Sequence, residues 1–382
     1  MSTVKAVNFQ HPSSAAANLT LAADGTVTGG LPAGGRNLLY NGAMQGAQRG
    51  TSTASITALS YNTADRWQTN LNVLGTWTQS VENDAPTGSG FRKSLKMLCT
   101  TADASPAAGD YLQVRQAIEG QDVQRIAKGT ASAQPLTLSF WVKSNATGTY
   151  VVDMFDGTNS RQVSASYTVS ASATWERKTI SIPADTTGAI VNDNTLGLYA
   201  IFWLAAGSSY TSGTLNTTWA ANNDANRAVG QINLAAANNN YWQVTGVQLE
   251  VGPVASAFEF KPYGQELREC QRYYYRTTPG ADTAIFGPGY SYSTTQTVIY
   301  IPFPVPMRTR PTALEQSGTA GDYRVLNGSG GNVACNTVPI FVIASLNAVE
   351  TVAAVASGLT AGQGTMMRAT NATAYLAWSA EL

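Results

Sequence analysis

Leu136-Thr137-Leu138-Ser139-Phe140-Trp141-Val142 places Leu136, Leu138, Phe140 and Val142 on one face, the period-two pattern of a strand with one buried side. Tyr150-Val151-Val152-Asp153-Met154-Phe155 follows after a turn at Ala146-Thr147-Gly148, so the two segments read as a hairpin. Working outward, further strands are expected at Trp175 to Ile182, Leu196 to Leu204 and Tyr241 to Val251. Within residues 37–262, a helical period is expected only at Leu112 to Ile126. Short alternating runs separated by Gly, Asn, Asp and Ser clusters are the signature of an antiparallel sandwich. The fold class is therefore all-β, with a jelly-roll-like β-sandwich over residues 37–262.

On either side of this unit the pattern changes. Tyr263, Leu267, Cys270 and Tyr274 recur at spacings of four, three and four, one stripe of a short helix. It packs on a neighbouring β domain or lines a seam around a three-fold axis. Beyond it, Thr297 to Met307 reads as a strand that runs into Pro302, Pro304 and Pro306. Proline removes ladder donors, so this piece is an edge strand or an extended arm, with Phe303, Val305 and Met307 on one face. Strands at Val338 to Ser345 and Thr373 to Leu382 complete a smaller C-terminal β domain over residues 263–382. Residues 1–36 have few large apolar side chains and carry turn pairs such as Gly29-Gly30 and Gly34-Gly35. They form an extended N-terminal arm, in which Leu19, Leu21 and Ala23 could add a strand to another sheet.

Composition narrows the chemistry. Of 382 residues, 23 are Lys or Arg and 23 are Asp or Glu, only 12% charged and balanced to zero. A nucleic-acid binder needs a clustered basic surface, and none is written here. A single histidine, His11, leaves the rest of the chain without the imidazole of a Ser-His, Cys-His or His-metal centre. Cys99, Cys270 and Cys335 are odd in number and widely spaced, which suits buried free thiols better than a disulfide framework or a zinc site. The N-terminus lacks the apolar core of a signal peptide, and the longest apolar run, Leu196 to Ala206, falls short of the roughly 20 residues that span a bilayer. A soluble protein made in a cytosol, with no membrane insertion and no nucleic-acid partner, is expected.

Glycoside hydrolysis stays open, because it needs only two carboxylates. Glu82, Asp84, Asp153, Asp156, Asp193, Glu250 and Glu259 are possible members of such a pair. Asp153, Asp156 and Asn159, in Asp153-Met154-Phe155-Asp156-Gly157-Thr158-Asn159, offer oxygen ligands for calcium, although turn chemistry explains the same residues. No other cofactor is indicated. Eight Trp and 17 Tyr suit stacking on neutral sugars. Trp141 and Trp242 sit in apolar or alternating runs and read as core. Trp77, Tyr210 and Trp219 lie among Gly, Thr, Ser and Asn and are the candidates for an exposed glycan platform, with core or rim packing as their commoner role.

Several of these stretches, taken in order, resemble one family. Asn37-Leu38-Leu39-Tyr40-Asn41-Gly42-Ala43-Met44-Gln45, Ala64-Asp65-Arg66-Trp67, Val247-Gln248-Leu249-Glu250-Val251-Gly252, Phe258-Glu259, Glu266-Leu267 with Cys270-Gln271-Arg272-Tyr273-Tyr274, and Phe303-Pro304-Val305-Pro306-Met307-Arg308 with Pro311-Thr312 look like the frame of bacteriophage tail or head fibre proteins carrying a carbohydrate-binding-module-like jelly roll. The resemblance covers roughly residues 37 to 312. It implies a virion structural protein, usually a homotrimer, attached to other virion proteins through its N-terminal segment and displaying β domains toward a bacterial surface glycan. It carries over no catalytic residue. A capsid decoration or adaptor protein without glycan binding is the alternative, and a glycan-degrading enzyme the third reading. Asp65-Arg66-Trp67 reads as a structural cluster in which an Arg-carboxylate pair borders a packed indole.

Overall fold

The computed structural model describes residues 35–278 and 285–382, together with the backbone of short strands at Asn8–Phe9, Leu19–Leu21 and Val27–Thr28. Those three strands pair antiparallel with one another, so Leu19–Leu21 is matched inside the arm itself. His11, Ala23 and the remainder of residues 1–34 lie outside the described residues.

Two antiparallel sheets form the larger unit. One has the order Glu176–Ile182, Leu136–Ser144, Tyr241–Val251, Ser94–Thr101, Thr76–Glu82, Ser52–Ile56. The other runs Ala220–Ala221, Arg161–Val169, Gly148–Asp156, Leu196–Ala206, Tyr111–Glu119, Gln68–Asn72, Ser60–Tyr61. Between the sheets, alternate side chains from both make one core in which Phe140, Phe202 and Trp242 are fully buried. Phe140 stands edge-on to Phe202, with centroids 5.1 Å apart, and Phe202 meets Trp242 at 5.3 Å. Edge-on packing suits the quadrupoles of the rings and adds about 1 kcal/mol per pair beyond area burial. This is the jelly-roll-like sandwich expected.

Two local expectations fail. Leu136–Ser144 and Gly148–Asp156 are not a hairpin, because they belong to opposite sheets. Alternation says which side of a strand is buried and not which strand lies beside it. Here the short link is a corner, held where the Tyr150 hydroxyl donates to the Ala146 carbonyl at 2.8 Å and lies 2.9 Å from the Ser144 hydroxyl. Leu112 to Ile126 is not a helix either. It is the Tyr111–Glu119 strand, with Leu112, Val114 and Ile118 facing the core, followed by a 3-10 turn at Gly120–Ile126.

The smaller unit has its own core beneath a seven-stranded antiparallel sheet, ordered Asn332–Ala334, Tyr323–Leu326, Gly364–Ala369, Ile285–Ser291, Gln296–Pro302, Ala348–Ala354, Ile340–Ala344. A three-stranded sheet of Tyr274–Thr277, Leu376–Ser379 and Glu315–Gln316 contributes Leu376 and Trp378 to that core. The strand at Gln296 stops at Pro302. Beyond it, alternation continues without a ladder: Phe303 and Met307 are buried while Pro304 and Pro306 are exposed. The Phe303 and Met307 amides donate to the Asn347 and Leu346 carbonyls, both at 2.8 Å.

The helix spans Tyr263–Gln271 and packs by a face rotated from the expected stripe. Glu266, Cys270 and Tyr273 are buried, Leu267 is half-buried, and Tyr263 is 57% exposed. Tyr274 is buried, but in the strand after the helix. The rotation follows from Glu266, whose carboxylate accepts the Asn41 amide. All three cysteines are buried free thiols. Among the described residues, no helix is long and apolar enough to cross a membrane.

Here the two units are bolted together. Arg66 has no exposed surface and a left-handed backbone, φ 72°. Its guanidinium pairs with Glu381, donates to the Ala117 carbonyl at 2.6 Å and lies 3.4 Å above the Tyr273 ring. Arg272 makes two 2.8 Å bonds to buried Glu119, which also accepts from the Tyr273 hydroxyl at 2.6 Å. Arg308 donates to the carbonyls of Asn194 (2.9 Å), Ala380 (2.7 Å) and Glu381 (2.8 Å). Trp67 is fully buried, and its indole N–H reaches the Asn41 carbonyl at 3.1 Å. The expected Arg-carboxylate pair forms with Glu381 as the acid, and the ring stacked on it is Tyr273, while the Trp67 indole packs on Phe202 in the core. Asp65 instead accepts from the Gln48 amide at 3.0 Å and its side chain at 3.1 Å.

Removing one partner of a buried ion pair strands the other charge, at about 3–5 kcal/mol. Glu381→Gln is therefore expected to lower the unfolding free energy by about that much in a guanidinium titration, and an unchanged midpoint would refute the bolt. Burial raises the Asp65 carboxyl from 3.8 to about 6, against the Arg49 charge and the Gln48 hydrogen bonds. The folded chain thus holds this proton more tightly than the unfolded one. The resulting stabilisation is full below about pH 4 and is lost as pH rises through about 6, up to about 3 kcal/mol. Comparing wild type with Asp65→Asn from pH 4 to 7 should show that difference, since the variant has no proton to release.

Candidate functional site

On the outer face of the larger unit's seven-stranded sheet, register brings side chains of four strands together. Asn70 stands opposite Gln113, Gln68 opposite Arg115, Arg115 opposite Ile201, and Tyr199 opposite Phe155. Each lies an even number of residues from its neighbours on the strand, so all point away from the core. Over them folds the segment 207–230. Gly207 allows this approach, because a Cβ there would sit 1.9 Å from the Ala107 carbonyl oxygen. The turn at Ser208–Thr211 then sets Tyr210 against Tyr111 (5.3 Å, edge-on) and Trp203 (5.2 Å).

The result is a cleft of about 210 Å³ with half-buried Tyr111, Phe155, Tyr199 and Tyr210 along its walls. An ion pair and amide bonds hold its floor. Arg227 donates through Nε to Asp153 at 2.7 Å and passes 5.0 Å from the Phe155 ring. Arg115 Nε donates to Gln68 at 2.7 Å, with its guanidinium 4.3 Å over Tyr199. The Asn70 side-chain amide donates to Gln113 Oε1 at 2.8 Å. Left without partners among the described residues are the Gln113 amide N–H groups and the Tyr199 and Tyr210 hydroxyls. Rings flanked by open amide and hydroxyl groups are what a sugar requires, its apolar face stacked and its hydroxyls bonded.

The expected platform residues part company. Tyr210 is in the cleft. Trp77 is not a platform: it is fully buried on the inner face of Thr76–Glu82, its N–H satisfied by the Leu74 carbonyl at 2.7 Å. Trp219 packs on the rim, donating to the Pro183 carbonyl at 2.9 Å with Lys128 5.0 Å from its ring. Trp141, expected in the core, is half-buried on the outer side of the other sheet.

The calcium candidates do not converge either. Asp153 and Asp156 are three apart on one strand and so face opposite ways. Asp153 is taken by Arg227, and Asp156 by Lys128 at 2.6 Å and by the backbone and side chain of Asn159, both at 2.9 Å. Asn159 thus serves as a donor, opposite to a metal ligand. No cluster of three or more His, Cys, Asp or Glu suited to a metal occurs among the described residues. Other acids are similarly engaged: Asp84 with Lys143, Glu250 with Ser256 at 2.5 Å, and Glu259 with the Asn37 amide at 2.9 Å. Burial pushes the Asp153 carboxyl up, against the Arg227 charge, whereas hydrogen bonds and neighbouring charges outweigh burial and hold Asp84 and Glu259 below the usual range.

No protein-family model matches the sequence, and no curated protein matches it. Among solved structures, the chain is similar to the enzymatically active domain of tailspike protein 4 of bacteriophage CBA120 (14% identity, TM-score 0.31), over 56% of this chain and 21% of that one. It is also similar to a module named TmCBM61 in complex with β-1,4-galactotriose (8% identity, TM-score 0.29, 56% of this chain and 99% of that one). A third is the tandem CBM22 domain of Paenibacillus barcinonensis Xyn10C (11% identity, TM-score 0.27, 91% and 98%). The match spans about a fifth of the tailspike chain. At such scores these likenesses carry no argument about function, which rests on the chain's own residues.

Arg227→Met would leave Asp153 buried without its counter-charge. A loss of about 3–5 kcal/mol in chemical unfolding is expected, and less than 1 kcal/mol would show that this pair does not hold the floor.

Proposed function

We propose that this chain is a non-enzymatic structural protein of a bacteriophage virion, a fibre that binds a host-surface glycan in the cleft between Tyr111, Tyr199 and Tyr210. One observation carries the reading: half-buried rings and unpartnered amide and phenol groups meet in one concavity while the acids around it are tied up in structural bonds. The virion setting rests on the resemblance to phage fibres, as does attachment through residues 1–36. The homotrimer gains support from the smaller unit. Its sheet leaves an outer face with Tyr290, Tyr300, Ile340 and Ile343 each more than half exposed, and Ile340–Ala344 is an edge strand. Glu350 and Arg368 on that face give it charges of both signs, so it can be complementary to further copies of itself. No cofactor enters this reading.

Titration calorimetry of the full chain against fragments of bacterial surface polysaccharides tests it. Gln113→Ala and Tyr199→Ala are each expected to weaken binding tenfold or more, a loss of about 1.4 kcal/mol. Binding to none of the fragments, release of reducing ends from any of them, or a monomer in sedimentation at micromolar concentration would each overturn the corresponding part.

A further inference from the structure

A second concavity, of about 500 Å³, lies on the opposite side of the sandwich, outside the six-stranded sheet. Phe91, Phe258 and Phe260 form one wall, with centroids 4.9–5.1 Å apart. Gly246 makes room for it, since a Cβ there would meet the Phe91 ring at 2.5 Å. Trp141 and Arg177, directly opposite each other on paired strands, form the other side.

Three polar groups here keep donor capacity to spare. The Trp141 indole N–H has no acceptor among the described residues, and no ring or cation covers the indole. Among the described residues Arg177 has no carboxylate partner, only a 3.5 Å contact with the Ser256 carbonyl. Ser139, only 4% exposed, lines the pocket, and its hydroxyl has no partner among the described residues. A half-buried indole with an open N–H fits the apolar face and a hydroxyl of a sugar ring. A free guanidinium beside it fits a carboxylate, which it can grip with two parallel bonds.

We propose that this pocket is a second, separate glycan site that takes a carboxylate-bearing sugar residue, with Trp141 under the ring and Arg177 on the carboxylate. It shares no residue with the Tyr199 cleft and stands or falls apart from it.

Tetragalacturonate and its neutral counterpart galactotetraose are the probes, each titrated into the full chain by calorimetry and by following the Trp141 indole N–H resonance, assigned with Trp141→Phe. Tetragalacturonate should move that resonance and bind at least tenfold more tightly than galactotetraose. Arg177→Gln, at an exposed position, should erase that preference, while Gln113→Ala should leave it intact. No binding at millimolar ligand, equal affinity for both sugars, or binding lost in Gln113→Ala and kept in Arg177→Gln would each overturn the proposal.

Discussion

The molecule depends on a guanidinium that has no access to water. Arg66 is fully buried, and an isolated buried charge is very costly, so its position is tolerable only while Glu381, the Ala117 carbonyl and the Tyr273 ring all surround it. These partners come from three places: a strand of the sandwich, the turn after the helix, and the end of the smaller unit. The requirement to surround one cation therefore fixes the smaller unit against the larger. Arg272 with Glu119, and Arg308 with three carbonyls, repeat the device alongside. Flexible connection would need none of these groups.

A rigid joint matters because the two faces of the sandwich are distinct. The seven-stranded sheet, covered in part by segment 207–230, carries the tyrosine-lined cleft, and the six-stranded sheet carries the phenylalanine-walled pocket. The joint holds both at constant orientation to the exposed apolar face of the smaller unit. Were that face the seam between copies, every copy would present its two concavities at fixed angles, the condition under which several weak sites act together.

What the sequence revealed follows physical lines. The strand Tyr241–Val251 was legible to the residue, because the core side chains Trp242, Val244, Val247 and Leu249 stand out in composition against their polar neighbours. Strand pairing was not, since Leu136–Ser144 and Gly148–Asp156 carry the same alternation whether they lie side by side or face to face. The fragments that define the joint were visible as an ordered set of motifs, but the role of Glu381, 315 residues from Arg66, was not. Of the site, Tyr210 was found through its polar neighbours. Trp77 has a similar setting yet alternates with Gln79 and Val81 on the inner face, a stronger signal than local polarity. Trp141 shows the reverse error: it is flanked by Phe140 and Val142, which point inward, and for that reason points outward itself.

The sparse charge of this chain acquires a meaning from where the charges sit. Arg66 with Glu381, Lys128 with Asp156 and Asp185, Arg227 with Asp153, and Arg272 with Glu119 are pairs in which at least one side chain is almost wholly buried. Charge here fastens the interior and leaves less on the surface, which is consequently built from amides, hydroxyls and rings. Such a surface exerts little long-range pull on ions and, with no strong field, does not sort partners at a distance. It discriminates at contact, by the fit of a ring face and the reach of hydrogen bonds. Against that neutral background Arg177 stands open beside an uncovered indole, and a cation without a carboxylate partner among the described residues is the simplest way to tell an acidic sugar from its uncharged counterpart.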